Sequence, residues 1–255
     1  MMLVVPAAGS AGFRNELLRA LPPAELALVR PCLLPVTLVM SQILHEAEAP
    51  IDEVYFFESG LVSLTADTGD NGLVEVGMTG REGFVGVTAL LSPEPISVHR
   101  AFVQIPGRAY RIRATTFREL TEALPALRDR CLRYVQVMLM HNSQIAACNA
   151  RHDLPGRLAR WLLMSRDRID GDDLPMTQEF LSYMLGVRRA GISVVANALQ
   201  SQGLIRQSRG RIAILDRPGL EGKACNCYRL IERNRARIMD VPDGPTGVGS
   251  VTVTP

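Results

Sequence analysis

The chain has 255 residues, 47% of them hydrophobic and 21% charged, with 21 Gly and 16 Pro, the composition of a globular protein long enough for two modest domains with separate cores. No uninterrupted apolar run reaches bilayer length, and Arg14, Glu16 and Arg19 interrupt the stretch where a signal peptide would be apolar, which excludes a membrane partner and points to the cytoplasm. The net charge of +2 conceals an asymmetry: residues 1–150 carry 12 Arg against 15 acids, and residues 151–240 carry 15 Arg and one Lys against 10 acids, so the C-terminal part suits a polyanion.

From about Pro35 to Ile112 the chain alternates short β-prone runs with turn residues. The runs are Val54–Phe57, Leu61–Ala66, Leu73–Met78, Val98–Gln104 and Ala109–Ile112. Glu58-Ser59-Gly60, Thr68-Gly69-Asp70-Asn71-Gly72, Gly80-Arg81-Glu82-Gly83 and Pro106-Gly107 separate them and supply the backbone angles that tight turns require. The spacing predicts an antiparallel sandwich or barrel.

Pro125, a favourable first helical residue, opens a long periodic segment. Leu127, Cys131, Tyr134, Met138, His141, Ile145 and Cys148 alternate at three and four residues, the spacing of a coiled-coil seam, and Leu120 and Leu124 continue the register backwards. A helix over 125–152 with one such stripe calls for a partner. A second copy of the chain is expected there, with those seven residues as the dimer interface; a core helix lying on the sheet is the alternative. His141 is expected to be an interface residue rather than a metal ligand.

A second amphipathic helix runs from Pro155 to about Arg168 through Leu158, Trp161, Leu162 and Met164, and Asp170-Gly171-Asp172-Asp173 ends it. Thr177–Gln200 then reads as helix, tight turn, helix. Thr177 can cap the first helix, with Gln178 beside it, and Phe180, Leu181, Met184 and Leu185 form the buried stripe. Gly186 permits the turn. In the second helix Ile192, Val195 and Leu199 face inward, leaving Arg188, Arg189, Ser193 and Asn197 outward, while Ala190 and Gly191 allow close approach of the backbone. Arg, Asn and Ser are the side chains that read base edges in a major groove. Residues 204–215 predict a two-stranded hairpin with Arg209 and Arg211 at its tip, a wing able to hold phosphate. Pro242–Pro255, with one charge, predicts a disordered tail.

These residues, in this order, resemble the Crp/Fnr family of bacterial transcription regulators. The likeness rests on Thr177-Gln178-Glu179-Phe180-Leu181, Leu185-Gly186-Val187, Leu199, Gly203-Leu204-Ile205 and Arg209-Gly210-Arg211-Ile212, with Gly83-Phe84-Val85-Gly86 resembling a turn of the family's cyclic-nucleotide-binding roll. The resemblance implies an α+β chain: an antiparallel, jelly-roll-like β-roll sensor over 13–124, a dimerisation helix over 125–152, a winged helix-turn-helix over 153–240 and a tail over 241–255. It also implies a homodimer that binds double-stranded DNA at an inverted repeat, a small-molecule effector, and RNA polymerase as a candidate further partner.

The departures from the family pattern are specific. Where the family opens its recognition helix with Ser-Arg-Glu-Thr, this chain has Arg188-Arg189-Ala190-Gly191, so only Arg189 matches, and Val194 replaces a further base-reading Arg. Val87 stands where nucleotide-binding relatives place Glu, and no Arg-Ser pair precedes Val103; the candidate effector pocket is therefore Gly83, Phe84, Val85, Gly86, Val87 and Arg100, with an effector other than a classical cyclic nucleotide. No cofactor is expected. Cys32 alone cannot hold an iron–sulfur cluster, and His45, His99, His141 and His152 are axial haem ligands only on paper. Five cysteines, an odd number at scattered spacings, predict reduced thiols. Cys225 and Cys227 are expected to be free, an incomplete two-ligand set with no metal. A small-molecule-binding or scaffold protein with a vestigial helix-turn-helix is the alternative function. No catalytic motif is present in the sequence, and the expectation is a protein that is not an enzyme.

Overall fold

The computed structural model describes residues 12–69 and 72–240. Two short helices, α1 (Glu16–Arg19) and α2 (Pro23–Val29), precede β1 (Leu34–Leu38), β2 (Ile43–His45), β3 (Glu53–Asp67), β4 (Leu73–Thr79) and β5 (Phe84–Val85). Helix α3 (Thr88–Leu91) leads to β6 (Arg100–Arg113), α4 (Ala114–Ala123) and the long α5 (Pro125–Arg151). Among the described residues the first sheet is antiparallel, ordered β1-β6-β3-β4, with β2 also on β6 and β5 on β3.

Two of the expected turns are bends inside strands. Val54–Phe57 and Leu61–Ala66 are one strand, and so are the two runs on either side of Pro106-Gly107. The bends lie opposite each other in the β3–β6 ladder, where register shifts occur between Phe57 and Val62. Gly60 has φ of 90°, and a Cβ on Gly107 would sit 2.1 Å from the Ser59 carbonyl oxygen, so the strands can cross this point only with glycine on both. Pairing thus survives a kink that sequence reads as a chain reversal. Asp70 and Asn71 of the expected second turn lie outside the described residues, as does the expected tail.

The α5 stripe corrects the expected dimer interface. Leu127, Cys131, Tyr134, His141 and Cys148 are buried within a single chain, and Met138 and Ile145 are partly buried against its cores. Tyr134 shows the reason: its ring packs against Phe84, its hydroxyl shares a 2.9 Å hydrogen bond with Thr79, and it fills the space beside Gly83. The helix lies on its own β-roll, so the five buried side chains are unavailable to a second copy. Its exposed apolar residues are instead Leu132 (39% exposed) and Leu139 (66%), with the exposed Ala146 continuing the seven-residue spacing.

After α5 come α6 (Leu154–Arg168), β7 (Asp173–Leu174), α7 (Gln178–Leu185), α8 (Arg189–Ser201), β8 (Ile205–Ser208), β9 (Arg211–Ile214), α9 (Arg217–Lys223) and α10 (Cys227–Met239). Asp153 caps α6 by accepting from the Gly156 N–H at 3.1 Å. Leu158, Trp161 and Leu162 of α6 form the centre of the C-terminal core, which also takes in Leu61, Met78 and Ile105 of the roll. The C-terminal unit is therefore packed on the roll. Trp161 Nε1 donates to Glu75 Oε1 at 2.8 Å, and Arg168 Nε donates to Glu82 Oε1 at 2.6 Å in a buried ion pair.

Candidate nucleic-acid interface and effector pocket

Thr177 caps α7 by accepting from the Phe180 N–H at 3.1 Å. Gly186 ends that helix in the left-handed region at φ of 61°, which lets the chain reverse into α8 within two residues. Leu181, Leu185, Ile192 and Leu199 bury the facing sides of the two helices. Arg188 is the N-cap residue of α8 and makes no side-chain cap, so where the family has Ser this helix starts without one; the Gly191 N–H donates instead to the Arg188 carbonyl at 2.9 Å.

The outward side of α8 carries Arg189, Ala190, Asn197 and Val194, the last 70% exposed. Val194 is apolar and exposed, and a valine there can meet the methyl group of thymine. Ser193 and Asn197 are held by a polar lattice. Ser193 Oγ donates to Gln178 Oε1 at 2.5 Å, Gln178 Nε2 donates to Gln207 Oε1 at 2.5 Å, and Gln207 Nε2 donates to Asn197 Oδ1 at 3.1 Å. Gln207 lies on the wing strand β8, so the lattice ties wing to recognition helix, a link that sequence spacing does not reveal. Gly191 also has a packing role: a Cβ there would meet Leu154 Cδ2 of the same chain at 3.2 Å. Arg209 and Arg211 are exposed at the β8–β9 turn, where Ser208 pairs with Arg211; the 3.9 Å approach of Arg211 to Asp173 is between two exposed groups and holds neither.

The roll contains a cavity of about 240 Å³ lined by Phe84, Val85, Gly86, Val87 and Thr88 and closed by Val135, Met138, Leu139 and Asn142 of α5. Two expected pocket residues are elsewhere. Gly83 lies under the Tyr134 ring, and Arg100 is tied at the surface to Glu46 at 2.8 Å, drawn there by the carboxylate. No arginine or lysine lines the cavity. His45 reaches its edge and shares a 2.8 Å hydrogen bond with the Glu53 carbonyl, and burial lowers its pKa. Thr88 Oγ1 is buried there without a hydrogen-bond partner.

Two buried groups lie between the roll and the C-terminal unit. Burial raises the Glu75 carboxyl to about 7, against the opposing effect of the Ser63 and Trp161 hydrogen bonds. Ser63 Oγ stands 2.7 Å from Glu75 Oε2 and 2.6 Å from Gln104 Oε1. The Ser63 hydroxyl has one proton to donate, so it donates to only one of these two oxygens at a time. His141 is pushed down to about 3 by burial and by the charges of Arg168 and Arg160.

The expectation that Cys225 and Cys227 form an incomplete pair does not hold in three dimensions. Cys148 and His152, more than 70 residues earlier, stand against them, with Cys148 Sγ 3.4 Å from Cys225 Sγ and His152 Nδ1 3.5 Å from Cys227 Sγ.

Residues 35–123 match the family model of the cyclic nucleotide-binding domain, and residues 156–222 match that of the Crp-like helix-turn-helix domain. Together they span more than half of the chain. The chain belongs to the Crp/Fnr family. No curated protein matches it in sequence. Solved structures share the fold: FixK2 from Bradyrhizobium japonicum is 15% identical over 76% of this chain and 98% of its own, with a TM-score of 0.64. A crp/fnr-family regulator from Eubacterium rectale is 17% identical over 85% of this chain and 99% of its own, with a TM-score of 0.62. The c-di-GMP-responsive regulator CLP of Xanthomonas campestris is 17% identical over 76% and 100%, with a TM-score of 0.61. The chain is thus a Crp/Fnr-type transcription regulator with an antiparallel β domain, a long helix and a C-terminal helix-turn-helix. No helix among the described residues is long and apolar enough to cross a membrane.

Proposed function

We propose that this regulator is a homodimer that reads an inverted repeat in double-stranded DNA with Arg188, Arg189, Val194 and Asn197, while Thr177 and Gln178 at the start of α7 and Arg209 and Arg211 on the wing hold phosphates. The exposed side of α8, with an unpacked valine among polar and basic side chains, carries this reading. Dimerisation through the Leu132–Leu139 side of α5 brings two copies of α8 to successive major-groove faces, about one helical turn or 34 Å apart. Of the residues first expected at the interface, none that is buried takes part.

The effector is small and mainly apolar. A cyclic nucleotide phosphate in this cavity would meet no cation, whereas Phe84, Val85, Val87, Met138 and Leu139 suit a hydrocarbon surface and the unpartnered Thr88 hydroxyl gives one polar contact. Because α5 closes the cavity, its occupant touches the same helix that carries the dimer contacts.

The test is selection of bound sequences from a random DNA pool, followed by binding of the enriched site to variants. Arg189→Ala is expected to cost about 1–3 kcal/mol and to relax base choice at one position per half-site; Arg209→Ala is expected to weaken binding to all sequences and reduce the salt slope by about 1. Unchanged binding in both variants overturns the assignment.

A further inference from the structure

The cluster at the end of α5 has the geometry of a metal site. Cys148 lies in the last turn of α5, and His152 is the residue at which that helix stops. Cys225 lies between α9 and α10, and Cys227 is the first residue of α10. One ligand atom from each of the four falls within 4.8 Å of all the others. A tetrahedral zinc ion with bonds of about 2.3 Å to sulfur separates its ligand atoms by about 3.8 Å. The observed 3.4 Å between Cys148 and Cys225 and 3.5 Å between His152 and Cys227 lie just under that separation, and every other pair falls within 4.8 Å, which leaves room for a single ion. The same spacing is too tight for four ligands around an iron–sulfur core.

The surroundings complete such a site. Gln144 Nε2 donates to Cys227 Sγ at 3.1 Å, and the Cys225 amide is anchored on the Gly156 carbonyl at 3.2 Å, which orients two of the sulfurs. Three thiolates around a divalent ion leave one negative charge. Arg160, 1% exposed, bears electrostatically on both Cys148 and Cys225 and balances it; its Nε has no hydrogen-bond partner. Cys148 and Cys227 are buried, whereas His152 is exposed and marks the side from which an ion enters.

We propose that Cys148, His152, Cys225 and Cys227 bind one divalent ion of the zinc class, and that the ion clamps the junction between α5 and the C-terminal unit. His152 is followed directly by Asp153, the cap of α6, so the ion joins the end of the long helix to α10 across the only covalent link between the two units. Ion occupancy would then set how α8 is presented, a consequence that rests on the DNA-reading role proposed above; the clamp itself does not.

The experiment uses the full chain, reduced and freed of metal by a chelator, and titrated with cobalt(II) and then zinc(II). Expected are one cobalt ion per chain, a sulfur-to-metal charge-transfer absorption with the intense visible bands of tetrahedral cobalt, and displacement by zinc. His152→Ala, an exposed position that leaves the core intact, and Cys225→Ser should each weaken binding roughly tenfold or more, and Cys32→Ser should leave it unchanged. Trypsin cleavage at Arg151 should slow several-fold when zinc is added to the parent chain and not when it is added to His152→Ala. Absence of the cobalt bands from the reduced parent chain, or bands that persist unweakened in both ligand variants, overturns the site; zinc binding without protection at Arg151 overturns the clamp. None of these readouts involves DNA, so their failure is distinct from failure of the DNA-binding proposal.

Discussion

Replacing Glu75 by Gln separates the effect of one buried carboxyl on the contact between the roll and the C-terminal unit. In the folded chain this carboxyl titrates at about 7, against 4.5 in its ordinary setting, because burial disfavours its charge more than Ser63 and Trp161 favour it. A pKa raised on folding means that the unfolded chain gives up the proton first. The stability associated with the protonated group is therefore complete below pH 4.5 and is lost as pH rises through about 7. At about 1.4 kcal/mol per pH unit, the loss between those limits is at most about 3 kcal/mol. Glutamine keeps an acceptor for Trp161 Nε1 and supplies, in place of the carboxyl proton, an N–H toward Ser63. Glu75→Gln should match the parent near pH 4.5 and exceed it at pH 8 by up to about 3 kcal/mol, a rise in melting midpoint of about 6–12 °C for a chain of this size. His141 acts in the opposite direction: with its folded value pushed down to about 3, it favours the fold above its ordinary 6.5 and that contribution is lost as pH falls. Since both chains contain His141, the difference between their melting curves isolates Glu75. Thermal unfolding followed by circular dichroism at several pH values is the assay. A constant offset between the two chains from pH 4.5 to 8, or a parent that is the more stable at pH 8, refutes the reasoning.

Leu132→Glu combined with Leu139→Glu places two carboxylates on the exposed side of α5 and should convert the dimer to a monomer in sedimentation equilibrium, with the circular dichroism spectrum retained; Tyr134 and His141 variants should instead unfold the roll. Arg188→Ser supplies the missing cap of α8 and should raise stability by about 1 kcal/mol in denaturant titration. Gly107→Ala, whose Cβ would meet the Ser59 carbonyl at 2.1 Å, should abolish soluble folded protein as judged by gel filtration and circular dichroism.

The helices were largely legible because their periodicity and punctuation agree: Pro125 starts α5, Gly186 ends α7, and the inward Ile192, Val195 and Leu199 fix the face of α8. Periodicity shows that a stripe is buried and is silent on what buries it. The Tyr134 stripe satisfies a coiled-coil pattern and a helix-on-sheet pattern equally, and the small residue Gly83 opposite Tyr134 decides between them at a distance of 51 positions in sequence. Turn chemistry failed at Gly60 and Gly107 for a related reason, since a glycine that bends a paired strand and one that reverses the chain have the same local signature. The exposed face of α8 needed only residues close in sequence, and which side chains point outward was mostly readable; Gln207, which holds Asn197 and Gln178 from β8, was not. The cysteine cluster was the least legible. Its two halves come from helix ends more than 70 residues apart, and a ligand rule based on short spacings cannot join them.

One helix carries most of what regulation would need. Along α5, Tyr134 and His141 bind it to the roll, Val135, Met138, Leu139 and Asn142 close the cavity, Leu132 and Leu139 face outward, and Cys148 and His152 meet the C-terminal unit. Leu139 belongs to two of these sets at once, on the cavity rim and 66% exposed. A molecule that fills the cavity must touch or displace this side chain, and so changes the surface that a second copy meets without any need for a long chain of intermediate contacts. The output end is firmer: Trp161 and Arg168 of α6 are held on the roll by Glu75 and Glu82, so movement of the C-terminal unit would break a buried ion pair and a hydrogen bond to a group that titrates near neutrality. An effector that acts through Leu139 therefore changes the pairing of two chains more readily than it changes the placement of α8 within one.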